Sequence, residues 1–218
     1  MTTLPRDFYL RPTLEVARDL IGKVLVHATP AGVAAGAIVE VEAYIGESDP
    51  ACHAAPGPTR RNAPLYGPPG FAYVYLNYGI HYLVNAVTEA QGSPAAVLIR
   101  ALEPVEGEAL MRRRRGRFAG RPADAFDTME LCRGPGNLTR ALGISLRQNL
   151  RDLTSSPLRI ESRSLAPRRV QWSRRIGITV GVEPEWRVYA ADSAAVSGNN
   201  SRGRFTRGQR VRTRPLER

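Results

Sequence analysis

Lysine is almost missing from this chain. Lys23 is the only one among its 31 basic residues, and the rest are arginine. An enzyme working through a Schiff base needs an amine nucleophile. A lone lysine opening an apolar run suits a structural role, so a lyase step is disfavoured and water is the preferred nucleophile. Cysteine is nearly as scarce. Cys52 and Cys132 stand far apart outside any C-x-x-C pattern, which leaves a zinc or redox motif without support. Two isolated thiols fit a reducing compartment, where they are inert. The histidines, His27, His53 and His81, form no H-x-x-x-H or H-E-x-x-H pair, so no metal is expected. A phosphate loop with its lysine, a G-x-S-x-G elbow and a dinucleotide fingerprint are all lacking. Neither nucleotide hydrolysis nor cofactor redox chemistry has a motif to rest on, and no cofactor is expected. No apolar run approaches the roughly 18 residues that cross a bilayer. MTTLPRDF lacks the charged-then-apolar order of a signal peptide. The expectation is a soluble, cytoplasmic protein with no membrane partner.

Positive charge is what the chain has in excess, at a net +11. Such a surplus favours a polyanionic partner and fast, salt-sensitive association. Arginine preference can also reflect the base composition of a coding genome. An anionic membrane surface would call for a basic amphipathic helix, and none stands out.

The 218 residues fit one domain able to bury a core unaided, with 1–10 and 200–218 as flexible tails. Thr13 reads as the N-cap of a helix that Gly22 ends. Lys23–Thr29 and Val33–Tyr44 read as antiparallel strands around Pro30-Ala31-Gly32. Residues 45–70 form a Gly/Pro-punctuated connection, long enough to suggest function. Phe71–Val87 reads as a β-hairpin, with aromatic and β-branched arms around Asn77-Tyr78-Gly79-Ile80. Ala95–Leu102 is a strand, Pro104 opens a helix running into Arg112–Arg115, and Asp127–Cys132 and LTRALGI are helical. The last third offers strands at Leu158–Ser162, Arg175–Val180 and Arg187–Ala191. With no internal repeat and no βαβ alternation, the fold class is α+β: one mixed domain with a curved antiparallel sheet, surrounding helices and a protruding hairpin.

Candidate chemistry gathers in few places. Tyr78 sits at the hairpin tip, where burial is hardest. It either folds back on a neighbouring loop or serves as a wedge between stacked bases. Glu40 and Glu42 share a strand face, as solvated carboxylates or as a site in which Glu42, beside Tyr44, acts as general base. Arg100 interrupts VLIRAL, and a charge there needs a carboxylate on a neighbouring strand. Glu42 is the partner that would make the pair functional, with a plain buried ion pair as the structural alternative. His27 lies inside a strand and reads as structural, whereas His53, in the long connection, reads either as a structural ring or as one that stacks on a base or donates a hydrogen bond.

Four ordered stretches then carry a resemblance: IVEVEAYIGESDPACHA, RNAPLYGPPGFAYVYLNYGIHYLVNAV, VLIRALEP and CRGPGNLTRALGI. Together, from about Arg11 to Ser197, the chain resembles the alkyladenine (3-methyladenine) DNA glycosylase family. The resemblance implies a monomeric, monofunctional enzyme that flips damaged purines out of double-stranded DNA and hydrolyses the N-glycosidic bond. It implies Glu42 as general base, Arg100 and the Val196 carbonyl as partners of the attacking water, and Tyr44, His53 and Tyr75 as walls around the flipped base. Asn85 would crowd the exocyclic amino group of guanine, and Tyr78 would fill the gap left in the duplex. Leu65-Tyr66 departs from the family's common Met-Phe, and Leu65 is expected to assist the wedge. Arg60, Arg61 and the Arg112–Arg115 run are candidates for phosphate contacts, the last with a solvated helix end as its alternative. A DNA-binding domain without catalysis is the competing reading.

Overall fold

A computed structural model describes residues 2–163 and 169–198. The tail beyond 199 and most of the loop following Leu165 lie outside the described residues. The fold is α+β, as expected. Its strands are β1 (Val24–Thr29), β2 (Gly32–Ile45), β3 (Ala72–Asn77), β4 (His81–Val87), β5 (Ala95–Glu106), β6 (Leu158–Glu161), β7 (Val170–Ser173) and β8 (Arg187–Ala190). The helices are α1 (Arg6–Tyr9), α2 (Thr13–Leu20), α3 (Glu108–Ala119) and α4 (Pro135–Leu142).

All strand pairs are antiparallel, in the order β3-β4-β5-β2-β1-β6, with β8 joining β2 and β7. The 14-residue β2 is the spine. Its first half pairs with β1 around the two-residue turn Pro30-Ala31, and Glu40–Glu42 pair with β8. Its other edge follows β5 almost throughout. From Ala34 to Ala43 every residue of β2 is buried. The alternation of Val39, Val41 and Ala43 with Glu40, Glu42 and Tyr44 therefore does not mark a solvated face; both sides of this strand are covered. α2 seats Val16, Ala17 and Leu20 in the core, and α4 adds Leu138, Ala141 and Leu142.

Several boundaries differ from the sequence reading. Thr13 is the first helical residue rather than a cap, because its hydroxyl bonds Thr88 and Glu89 across the fold. Pro104 opens no helix. Gly36 pairs with Pro104 and Ala35 with Glu106, so the strand continues until Gly107, whose φ of +77° turns the chain into α3. Asp127–Cys132 yields only a 3₁₀ turn over Thr128–Glu130, capped by the Asp127 carboxylate. Arg175–Val180 is loop, and the strand beside β8 is Val170–Ser173.

Gly107 is the tightest of these junctions. A Cβ there would collide with the Val33 carbonyl oxygen in a conformation that side chains already disfavour. Gly107→Ala is expected to destabilise the protein by about 3 kcal/mol, through overpacking added to backbone strain. A urea unfolding titration followed by circular dichroism measures the shift.

Candidate active site

The site begins with a slip in the sheet. Between β2 and β5 the register shifts at Ile38–Glu40 and again at Glu40–Val41, so Val41 faces Ile99 and Glu40 faces Ala101. Arg100 falls between these pairs. Such irregularities re-aim side chains and occur near active sites. Here Arg100 reaches two carboxylates of the neighbouring strand at once. Its Nε donates to Glu40 Oε1 at 3.0 Å and its Nη1 to Glu42 Oε2 at 3.1 Å. The expected ion pair is present, shared with a second acid. Both glutamates are 0% exposed and Arg100 is 8% exposed. Charges this dry persist only when paired and hydrogen-bonded.

Glu40 is the better secured of the two acids. Arg187 Nε donates to Oε1 at 2.8 Å, while Ser197 gives its hydroxyl to Oε1 and its N–H to Oε2. Arg187 Nη2 reaches the Ser197 carbonyl and Arg100 Nη2 the Ser197 hydroxyl. Two acids and two guanidiniums thus balance in the interior, and the chain just after the buried Val196 is bolted to them. Glu42 accepts the Ile176 N–H on Oε1 at 2.7 Å and the Tyr44 hydroxyl on Oε2 at 2.9 Å. Burial, then the Glu42 charge beside it, pushes the Tyr44 phenol far up, so this hydroxyl remains a donor. The Arg100 guanidinium also sits above its ordinary value: burial opposes its charge, and Glu42 and Glu40 more than offset that.

Tyr44 and Arg100 form part of the wall of a cavity of about 470 Å³, into which His53, Tyr75, Asn85 and Tyr78 also face. That volume suits a small ligand. Glu42 lies directly behind the wall, touching the Tyr44 hydroxyl and Arg100. The His53 and Tyr75 rings meet at 4.5 Å between centroids, and His53 Nδ1 is hydrogen-bonded to the Tyr73 hydroxyl at 2.9 Å. With Nδ1 occupied, Nε2 is the ring nitrogen left for a ligand. Burial, then the Arg61 charge, pulls the His53 pKa down, and burial pushes the Tyr73 phenol up to about 12. Asn85 donates to the Tyr73 carbonyl at 3.0 Å, which fixes its amide against the wall.

At the mouth stands the hairpin of β3 and β4. Ile80 N–H closes its turn onto Asn77, with Tyr78 and Gly79 at φ of +48° and +68°. A non-glycine residue in that region is uncommon. Tyr78 is 83% exposed, so it does not fold back on a neighbouring loop. α4 braces the arm: Arg140 donates to the Ile80 carbonyl and Thr139 to that of Tyr82.

Not every expected residue stands where the sequence reading put it. Leu65 is 2% exposed, packed with Cys52, Ala54, Tyr73 and Ala96, so it lines the cavity floor instead of projecting beside Tyr78. In the Arg112–Arg115 run three side chains are engaged within the fold and Arg113 is exposed. Arg112 holds Glu108 and Thr128, Arg114 caps the end of α4 through the Ala141 carbonyl, and the buried Arg115 bonds the carbonyls of Glu130 and Leu131. Arg60 and Arg61 are exposed, Arg61 lying 5.9 Å from the Tyr75 ring. His27 is structural, bonded to the Leu142 carbonyl inside the core. Missed altogether were Arg187, Ser197 and a buried pair, Asp49 and Arg175, that no local pattern announces.

The family model described as methylpurine-DNA glycosylase (MPG) matches residues 7–194. A protein of Chlorobium phaeobacteroides named "Putative 3-methyladenine DNA glycosylase" is 47% identical over 92% of this chain and 98% of its own length. Proteins carrying the same name are similar in Methanocella arvoryzae, at 48% identity over 90% of this chain and 96% of theirs, and in Rubrobacter xylanophilus, at 49% over 78% and 84%.

Proposed function

Because the chain belongs to the methylpurine-DNA glycosylase family, we propose that it removes alkylated and deaminated purines from duplex DNA with a water molecule activated by Glu42. The substrate class is 3-methyladenine, 7-methylguanine, hypoxanthine and ethenoadenine. The observation that carries this reading is a buried, arginine-held carboxylate directly behind an aromatic cavity, with an exposed tyrosine at its mouth. A pure binding surface for a polyanion has no use for a buried acid beside its ligand.

The damaged nucleotide swings out of the stack, which costs a few kcal/mol and less where pairing is already weakened. Tyr78 fills the gap. The extruded base lies among Tyr44, His53 and Tyr75, and Asn85 crowds a guanine amino group. The Tyr44 hydroxyl yields its hold on Oε2 as the ring settles on the base, opening that lone pair to water. Water oxygen attacks C1′ of the sugar and its proton passes to Glu42. The C1′–N bond breaks, and its electron pair leaves with the purine. Glu42 also faces the positive charge that develops on the sugar. N-alkylated purines leave as neutral bases once that pair is received, whereas hypoxanthine and ethenoadenine leave as anions that take up a proton from solvent. Arg100 and the backbone at Val196 flank the water. Lys23 turns its ammonium to the Ser162 carbonyl and takes no part in the cavity wall, which supports a hydrolytic step without a Schiff base.

Incubating the protein with duplexes that each carry one of these purines, followed by hot alkali, tests the reading. Strand breaks at the lesion are expected. Intact strands across the whole panel, with duplex binding retained, would leave only a DNA-binding domain.

The lowered pKa of His53 makes it neutral at pH 7. Protonation would place a charge against a cationic alkylpurine, so release of 7-methylguanine should fall on the acid side. The midpoint should lie below the ordinary histidine value of about 6.5, and a pH–rate series compared with His53→Gln locates it.

A further inference from the structure

The Asp49–Arg175 pair lies outside the cavity wall, yet each of its hydrogen bonds ends on a segment that forms it. Arg175 Nη1 donates to Asp49 Oδ2 at 2.6 Å and to the Ala43 carbonyl at 3.0 Å, between Glu42 and Tyr44 on β2. Its Nη2 donates to Asp49 Oδ1 at 2.8 Å and to the Gly181 carbonyl at 2.9 Å. Asp49 in turn accepts the N–H groups of Ile45 and Ala51, at the two ends of the turn that leads to His53. The guanidinium also lies against the Tyr44 and Trp186 rings, at 4.7 and 5.0 Å. The residue after it, Ile176, delivers the N–H that fixes Glu42 Oε1, and Ile176–Ile178 face the cavity. Both charged side chains are essentially unexposed, at 0% and 1%.

A lysine in this place could not serve four acceptor atoms, two on Asp49 and the carbonyls of Ala43 and Gly181, and an uncharged acid would not hold the fork. We propose that Asp49 and Arg175 are positioning residues, a clamp that sets the Glu42 carboxylate and the Tyr44 and His53 walls into one geometry. The inference rests on the glycosylase reading for its consequence in rate, though not for its consequence in structure. Loss of the fork lets the Arg175–Ile176 backbone drift, and Glu42 loses the donor that holds its rotamer. Misplacement of a reacting group by about 1 Å is enough to slow a reaction on the order of a hundredfold.

The test uses the full chain with Asp49→Asn, which is isosteric, and Arg175→Lys, which keeps the charge but not the planar fork. Amide exchange is read at Ile176 and across Val24–Thr29 as a fold control, and base release is measured with enzyme in excess over a hypoxanthine duplex. Expected in both variants is faster exchange at Ile176, on the order of tenfold, with the β1 amides unchanged. Base release should slow by about 10- to 100-fold at saturating protein, with duplex affinity changed little. Unaltered exchange at Ile176 would overturn the clamp. So would altered exchange with undiminished release, or a loss of release that follows only the unfolded fraction. If the parent protein released no base from any duplex of the purine panel while Ile176 still responded, the glycosylase reading would fail and the clamp would stand as architecture.

Discussion

Glu42→Gln is expected to abolish base release, by at least about 10³-fold, while duplex binding stays within a few-fold of the parent protein. Proton acceptance and stabilisation of the developing sugar cation both need the carboxylate, and glutamine supplies neither. The structure adds a constraint on how this is measured. Both oxygens of Glu42 are taken by donors: Ile176 N–H on one, Tyr44 and Arg100 on the other. Either orientation of a glutamine amide turns NH₂ towards a donor, and Arg100 loses half of its neutralising charge. Removing one partner from a buried pair destabilises by about 3–5 kcal/mol. Rates therefore belong well below the melting temperature of the variant, with enzyme in excess and folding checked beside them. Unchanged release of 3-methyladenine by a folded Gln variant would remove Glu42 from the role of base.

Tyr78→Ser should weaken binding to lesion-containing duplex about 10- to 100-fold and leave undamaged duplex almost unaffected. Stacking of an aromatic on a base is worth about 1–3 kcal/mol, and about 1.4 kcal/mol is a factor of ten. The side chain has no role in the core, being 83% exposed, so stability is untouched or slightly altered through the turn. Serine at a φ of +48° is no easier than tyrosine, which keeps the hairpin comparison fair. Fluorescence anisotropy on paired duplexes separates the two affinities. Equal losses on both would reduce Tyr78 to a general DNA contact.

The hairpin, β1, β2 and the α2 segment were legible because each is written locally: aromatic and β-branched arms about Asn-Gly chemistry, alternation, and an apolar helical stripe. Arg100 could be given a carboxylate partner because a charge inside VLIRAL has few affordable environments. Glu40 and Glu42 were harder. Their alternation looks like a wet face, and only the covering of β2 from both sides makes them interior. Pro104 misled because proline opens helices and also tolerates irregular strand ends. Arg175–Val180 has β-branched residues in strand-like spacing, yet its Ile176 N–H is drawn to Glu42 and its Arg175 side chain to Asp49 rather than its backbone to a neighbouring strand. The arginine run of α3 could not be assigned from composition, since most of its partners are carbonyl groups of a later segment, residues 126–141. Asp49 and Arg175 lie 126 positions apart, beyond any spacing rule.

The balance of Glu40, Glu42, Arg100 and Arg187 has an evolutionary corollary. Loss of charge at any one of the four strands an odd charge in a dry place, an outcome far harsher than replacing the set together. Single-step drift through this quartet is closed, whereas the rim around it is open to wandering. Lineages should thus vary along the cavity rim long before they vary in these four buried charges.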